Sequence, residues 1–179
     1  MTKYLLLSLG LFALAAACSS DPESSGPDMR GDAAGAAFVL KADPGKGESV
    51  ADTKRTGPSE DVRVVEGRVY DITKGFAVLK LMGTELHYCG EVRAEGCKTP
   101  WDYCCDPPQA HREHSLLVEF RGADGTPVET AGIPDLRLLD LVKVRGSLRK
   151  DEYDNLVFVA DGVWKVARPL LPEDLDWPE

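Results

Sequence analysis

The stretch Val62-Arg-Val-Val-Glu-Gly-Arg-Val-Tyr-Asp-Ile72 is rich in β-branched residues and has a glycine at its centre. Its period-two patterning predicts a half-buried strand, and Gly67 inside it predicts a bulge or a tight bend. Further stretches of the same kind follow. Gly75 to Leu81 reads as a second strand and Thr84 to Cys89 as a weaker third. Ser115 to Arg121 is another, and Ala123-Asp-Gly125 turns it towards the short strand Thr126 to Thr130. Leu141 to Leu148 alternates, with Val142, Val144, Gly146 and Leu148 on one face. Lys150 to Asn155 is a polar turn, and Leu156 to Val166 closes the series. Only the Pro134 region, Pro134 to Leu139, offers a helical turn. Short strands joined by turn residues predict an all-β domain, a small five-stranded antiparallel barrel.

With a bulged first strand, a hairpin, a short connecting helix and a final strand pair, the arrangement resembles an OB-fold. The segment Leu116 to Trp164 also resembles the haem chaperone of cytochrome c maturation. The shared features are an apolar strand, Ala-Asp-Gly, a polar strand, Ile133-Pro-Asp-Leu136, Val142-Lys-Val-Arg-Gly146 and a closing strand. That family bonds haem through a histidine just after the last strand, with a tyrosine beyond. Trp164-Lys-Val-Ala-Arg168 has neither, so the resemblance implies a fold and not haem transfer.

The chain opens Met1-Thr-Lys3, followed by Tyr4 to Ala17, a run of 14 residues that is apolar apart from Ser8. A bilayer span takes about 20 residues, whereas a signal-peptide core is shorter. Leu14-Ala-Ala-Ala-Cys18 resembles a bacterial lipobox, with Ala15 where leucine is usual. The resemblance implies a signal peptide over 1–17 and a lipidated Cys18. It also implies an exported protein anchored to the cell envelope, held at a membrane without crossing it. Ser19 after the cysteine resembles the sorting signal for the outer membrane, facing the periplasm. Residues 18–60, rich in Ser, Asp, Pro, Gly and Ala, read as the lipidated cysteine and a disordered linker. Phe38-Val-Leu40 is its one apolar patch and could dock on the domain or form a short strand. The barrel domain is expected over 61–168. The tail, 169–179, carries three prolines and four acidic side chains with no lysine or arginine.

The formal net charge is −9, or −10 once Lys3 leaves with the signal. Nucleic-acid binding requires a basic surface to neutralise phosphates, and none is present. Gly-x-Ser-x-Gly, His-Glu-x-x-His and P-loop patterns are all missing, so the sequence carries no recognised catalytic motif.

The chemistry-bearing residues are concentrated in an expected insertion, 83–114. It holds His87-Tyr-Cys-Gly-Glu-Val-Arg-Ala-Glu-Gly-Cys-Lys-Thr-Pro-Trp-Asp-Tyr-Cys-Cys105, then His111 and His114. A loop this long in a compact barrel is functional or cross-linked. Export favours two disulfides among Cys89, Cys97, Cys104 and Cys105. A bridge between the neighbours Cys104 and Cys105 is strained. This leaves Cys89–Cys104 with Cys97–Cys105, or Cys89–Cys105 with Cys97–Cys104. Trp101 and Tyr103 would then belong to a binding surface for an envelope protein or a small ligand, with no cofactor and no enzymatic activity. The alternative is a copper or zinc site, because thiolates and imidazoles are the ligands those ions take. Its ligands would come from His87, Cys89, Cys97, Cys104, Cys105, His111 and His114. His87 and Cys89 would share a strand face, and His111 and His114 one turn of helix. Thiol redox chemistry is a third reading, although Cys-x-x-Cys is absent.

Overall fold

The structure is a computed structural model describing residues 31–91 and 97–170. The expected signal peptide, the lipidated Cys18 and residues 171–179 of the tail lie outside the described residues. The described chain is mostly strand. Two strands precede the loop's far side, β2 (Arg63–Ile72) and β3 (Val78–Met82), and three follow it: β4 (Ser115–Phe120), β5 (Leu141–Lys150) and β6 (Leu156–Ala167). A sixth strand, β1 (Glu48–Ser49), joins them in one mixed sheet. Both β1–β2 and β4–β6 are parallel, so the sheet is not the purely antiparallel one the turn pattern predicts.

β2 is the hub. Its residues 63–68 pair with β5 and its residues 68–72 with β3, both antiparallel. Val65, Gly67 and Val69 alternate inward, as the period-two pattern requires. Gly67 stands where one partner gives way to the other. A Cβ there would lie 2.9 Å from the Met82 carbonyl oxygen and 3.3 Å from a Val50 methyl, so close approach selects glycine. The register shift of β2 falls two residues on, between Val69 and Asp71. The remaining pairings are β3–β4, β4–β6 and β6–β5. Two turns hold as expected: Gly125 takes φ 81° after β4, and Asp151 accepts from the amides of Tyr153 (2.9 Å) and Asn155 (2.8 Å) between β5 and β6. Thr126–Thr130 contributes only two isolated bridges, at Pro127 and Glu129. Residues 134–139 form turns, not a helix, and Thr84–Cys89 is not a strand.

In place of the disordered linker expected to residue 60, residues 31–60 pack on the sheet. α1 (Ala33–Ala36) is capped by Asp32, whose carboxylate accepts from the amides of Gly35 (2.9 Å) and Ala131 (2.8 Å) and from the Thr130 hydroxyl. Phe38 lies 4.8 Å from the Phe120 ring. Val163 and the Phe38–Leu40 backbone exchange hydrogen bonds of 2.8 and 2.9 Å, which lays this apolar patch beside β6 as a strand-like bridge. α2 (Val50–Thr56) starts at Ser49, whose hydroxyl accepts the Asp52 amide at 3.1 Å, and stops at Gly57 with φ 82°. Val50 and Thr53, three apart on one helix face, are both fully buried. The composition that reads as disorder is real, but a few well-placed apolar residues secure the segment. Burying one side chain of this size contributes about 1.5–3 kcal/mol.

Candidate functional site

The insertion between β3 and β4 is closed at its base. The Gly83 amide donates to the His114 carbonyl at 2.7 Å, beside the Met82–Ser115 pair. Its end is α3 (Pro108–His114), which opens on a proline, where no amide partner is needed. Lys54 of α2 finishes it, the ammonium donating to the Arg112 carbonyl and, at 2.9 Å, to that of Ser115. A cation there satisfies the orphan carbonyls at a helix C-terminus.

Within the loop, residues 88–91 lie against 99–103. Cys89 donates its amide to the Asp102 carbonyl and Gly90 to that of Pro100, both at 2.7 Å. This fold-back surrounds Tyr103, which is completely buried with Met82, Leu86, Tyr88 and Leu139. The Tyr70 ring meets Tyr103 edge-on at 5.6 Å, and Trp101 packs on the same cluster. Tyr103 therefore cannot belong to the binding surface expected of it; it is the centre of a second small core. Arg68 of β2 clasps the loop from below, 5.2 Å from the Tyr88 ring centre and 3.6 Å from Glu91.

That packing brings three sulfurs together. The ligand atoms of Cys89, Cys97 and Cys104 all lie within 4.8 Å of one another. The Cys89 and Cys104 sulfurs are 3.2 Å apart. Among the described residues no disulfide joins two cysteines; Cys89 is buried, Cys97 half-buried, and Cys104 and Cys105 exposed. Burial, reinforced by the Cys104 thiol, pushes the Cys89 thiol up to about 11. Cys97 is held below its ordinary value by the Thr99 hydroxyl, 3.6 Å from its sulfur, and then by a hydrogen bond from the Thr99 backbone.

The three histidines stay apart from the sulfurs, while Cys105 meets the Cys104 thiol from outside the set of three. Among the described residues, the group of three or more ligand atoms includes neither Cys105 nor any histidine. His87 Nδ1 pairs with Glu91 at 2.7 Å. His111 Nε2 meets the Tyr103 carbonyl at 2.8 Å, and His114 Nδ1 lies 3.5 Å from Glu85. The strand face that would have joined His87 to Cys89 does not form. His111 and His114 do share a helix, but their rings engage different partners. Thr99, Asp102 and Arg68 shape the site, and no motif marks them in the sequence.

Three sulfurs so placed suit a soft ion. A zinc–sulfur bond of about 2.3 Å puts the sulfurs of a tetrahedral site about 3.8 Å apart. The Cys89–Cys104 contact needs to open by roughly half an ångström to reach that spacing. No helix among the described residues is long and apolar enough to cross a membrane. Comparison with known protein families and with curated proteins gives no match.

Proposed function

We propose that this chain is a lipid-anchored protein of the cell envelope, non-enzymatic, whose loop 83–114 binds one soft metal ion, Zn²⁺ or Cu⁺, through Cys89, Cys97 and Cys104. The observation that carries this reading is the mutual approach of the three sulfurs within 4.8 Å. Thiolates select these ions over hard cations. The second core around Tyr103 bears on the choice between the two readings of the cysteines. Disulfides would be needed most in a loop with no packing of its own, and this loop has packing.

The domain that carries the loop is, on this reading, an OB-like five-stranded barrel. The cycle of pairings β2–β3–β4–β6–β5–β2 supports it, since each long strand finds two long neighbours. The anchor rests on Leu14-Ala-Ala-Ala-Cys18 and the apolar run before it. Incorporation of labelled palmitate into the wild-type chain and not into Cys18→Ala would test it.

The metal site is tested by elemental analysis of protein purified anaerobically under reduction, then offered Zn²⁺ or Cu⁺ and desalted. One equivalent per chain is expected, falling to near zero in Cys89→Ser, Cys97→Ser and Cys104→Ser, with Cys105→Ser retaining it. A reduced, folded protein that retains neither ion overturns the proposal. A second reading, in which the loop is a disulfide-held binding surface for an envelope protein or small ligand, is favoured by the 3.2 Å Cys89–Cys104 contact.

A further inference from the structure

The two shortest features of the thiol site point in different chemical directions. Three sulfurs within 4.8 Å form a ligand set. Two of them at 3.2 Å form a pair that requires only about 1.2 Å of closure to reach a disulfide bond length near 2.05 Å. We propose that the metal site is gated by oxidation: closure of Cys89 and Cys104 into a disulfide removes two of three ligands and releases the ion. This rests on the metal reading above and adds its regulation.

The order of events follows from exposure. Cys104 is exposed and Cys89 is 4% exposed, so a small-molecule disulfide such as oxidised glutathione meets Cys104 first. The Cys104 sulfur attacks one sulfur of the reagent, forming a mixed disulfide and expelling one thiolate. The Cys89 sulfur then attacks the Cys104 sulfur, and the second reagent thiolate leaves. The two protein thiolates lose two electrons; the reagent gains them and, with two protons from solvent, becomes two thiols. The ion departs with its charge unchanged. Cys97 remains as a single thiol beside Thr99, too few ligands for a closed soft-metal site.

The fold favours this pair over the alternatives. The Cys89 amide bond to the Asp102 carbonyl, 2.7 Å, holds the Cys89 backbone against the stretch that leads into Cys104. Cys97 lies within 4.8 Å of both sulfurs but is also engaged with Thr99, whereas Cys89 and Cys104 are already 3.2 Å apart.

The test uses the full chain, reduced, loaded with Zn²⁺ and desalted, then titrated with oxidised glutathione. Free zinc is followed with a chromogenic chelator, and disulfides are mapped by non-reducing peptide mass spectrometry. The expected result is zinc released one for one with a Cys89–Cys104 crosslink, and full recovery of binding after reduction. Cys97→Ser, which keeps the pair, should still form the crosslink. Zinc that stays bound under excess oxidant, or a crosslink joining Cys97 to Cys104, overturns the gate and leaves the metal site standing. A reduced chain that never takes up zinc overturns the metal reading and the gate with it.

Discussion

Arg168 Nε and Nη2 each donate, at 2.7 Å, to a different oxygen of Asp140, a carboxylate with no exposed surface. The fork joins the residue that follows β6 to the one that precedes β5. Asp140 also accepts the Arg137 amide at 3.0 Å, which fixes the turn between them. Bidentate guanidinium–carboxylate pairs combine two charge-assisted hydrogen bonds with a fixed geometry.

Removing the guanidinium leaves that buried carboxylate with the Arg137 amide but without its bidentate cation, so Arg168→Ala should lose about 3 kcal/mol of stability in urea unfolding. Asp140→Leu combined with Arg168→Met should be less damaging than the sum of the two single variants. Additive losses would show that the pair is not the coupled unit described.

Tyr103 presents the opposite case. Its hydroxyl is buried with no hydrogen-bond partner among the described residues. Tyr103→Phe should therefore leave stability unchanged or raise it by about 1 kcal/mol, because an unmet polar group is removed with little change of shape. Tyr103→Ala should cost about 3–5 kcal/mol and loosen the loop. Limited proteolysis between residues 83 and 114 reports the loosening, and a destabilised Phe variant would mean that the hydroxyl has a partner.

Gly146 sits where the β5–β6 register shifts, and a Cβ there would be 2.2 Å from the Val159 carbonyl oxygen. The obstruction is backbone, so the strands must separate to admit a methyl group. Gly146→Ala should cost about 2–3 kcal/mol. Gly45→Ala is the contrast: its added methyl meets nothing within 4 Å among the described residues, and the φ of 107° is what resists it. Thermal unfolding of the two variants should rank them in that order.

Asp32 gives the pH dependence of the N-terminal segment. The Thr130 hydroxyl, then the Gly35 and Ala131 amides, hold its carboxyl at about 2, below the ordinary 3.8. A folded-state value below the unfolded one means the stabilisation is complete above the unfolded value and disappears as pH falls through the folded one. Docking of residues 31–36 should therefore be intact above pH 4 and weaken progressively towards pH 2. Protection of the Gly35 and Ala131 amides against hydrogen exchange, relative to the intrinsic rate at each pH, should fall over that window in the wild type. Asp32→Asn should remove most of the dependence; an unchanged profile would exclude Asp32 as its source.

The strands were legible because burial on a sheet leaves a period of two. Val65 and Val69 on β2, and Val142, Val144 and Leu148 on β5, occupy the buried positions that alternation assigns them. Clustering of the cysteines in one loop was equally plain. The helices were hidden for different reasons. α2 is written in caps, Ser49 and Gly57, rather than in an apolar stripe, and only Val50 and Thr53 reach the core. α3 buries none of its residues, so it leaves no hydrophobic signature, and it depends on Lys54 from 58 residues earlier in the chain. Which cysteines meet depends on contacts no local pattern encodes, above all Tyr103 turning inward beneath them. The histidines illustrate the same limit: sequence spacing brought them near the sulfurs, and Glu91, Glu85 and the Tyr103 carbonyl took them elsewhere.

The wrapping of residues 38–56 around the sheet has a bearing on aggregation. Phe38–Leu40 occupies backbone groups of β6 near Val163, and Glu48–Ser49 occupies those of β2 near Val65. Unpaired strand backbone is a template onto which other chains add. A protein trimmed to begin at residue 61, where composition alone would cut it, would uncover both places together with the cavity left by Val50. The segment thus covers two strand edges that would otherwise stand open to pairing with another chain.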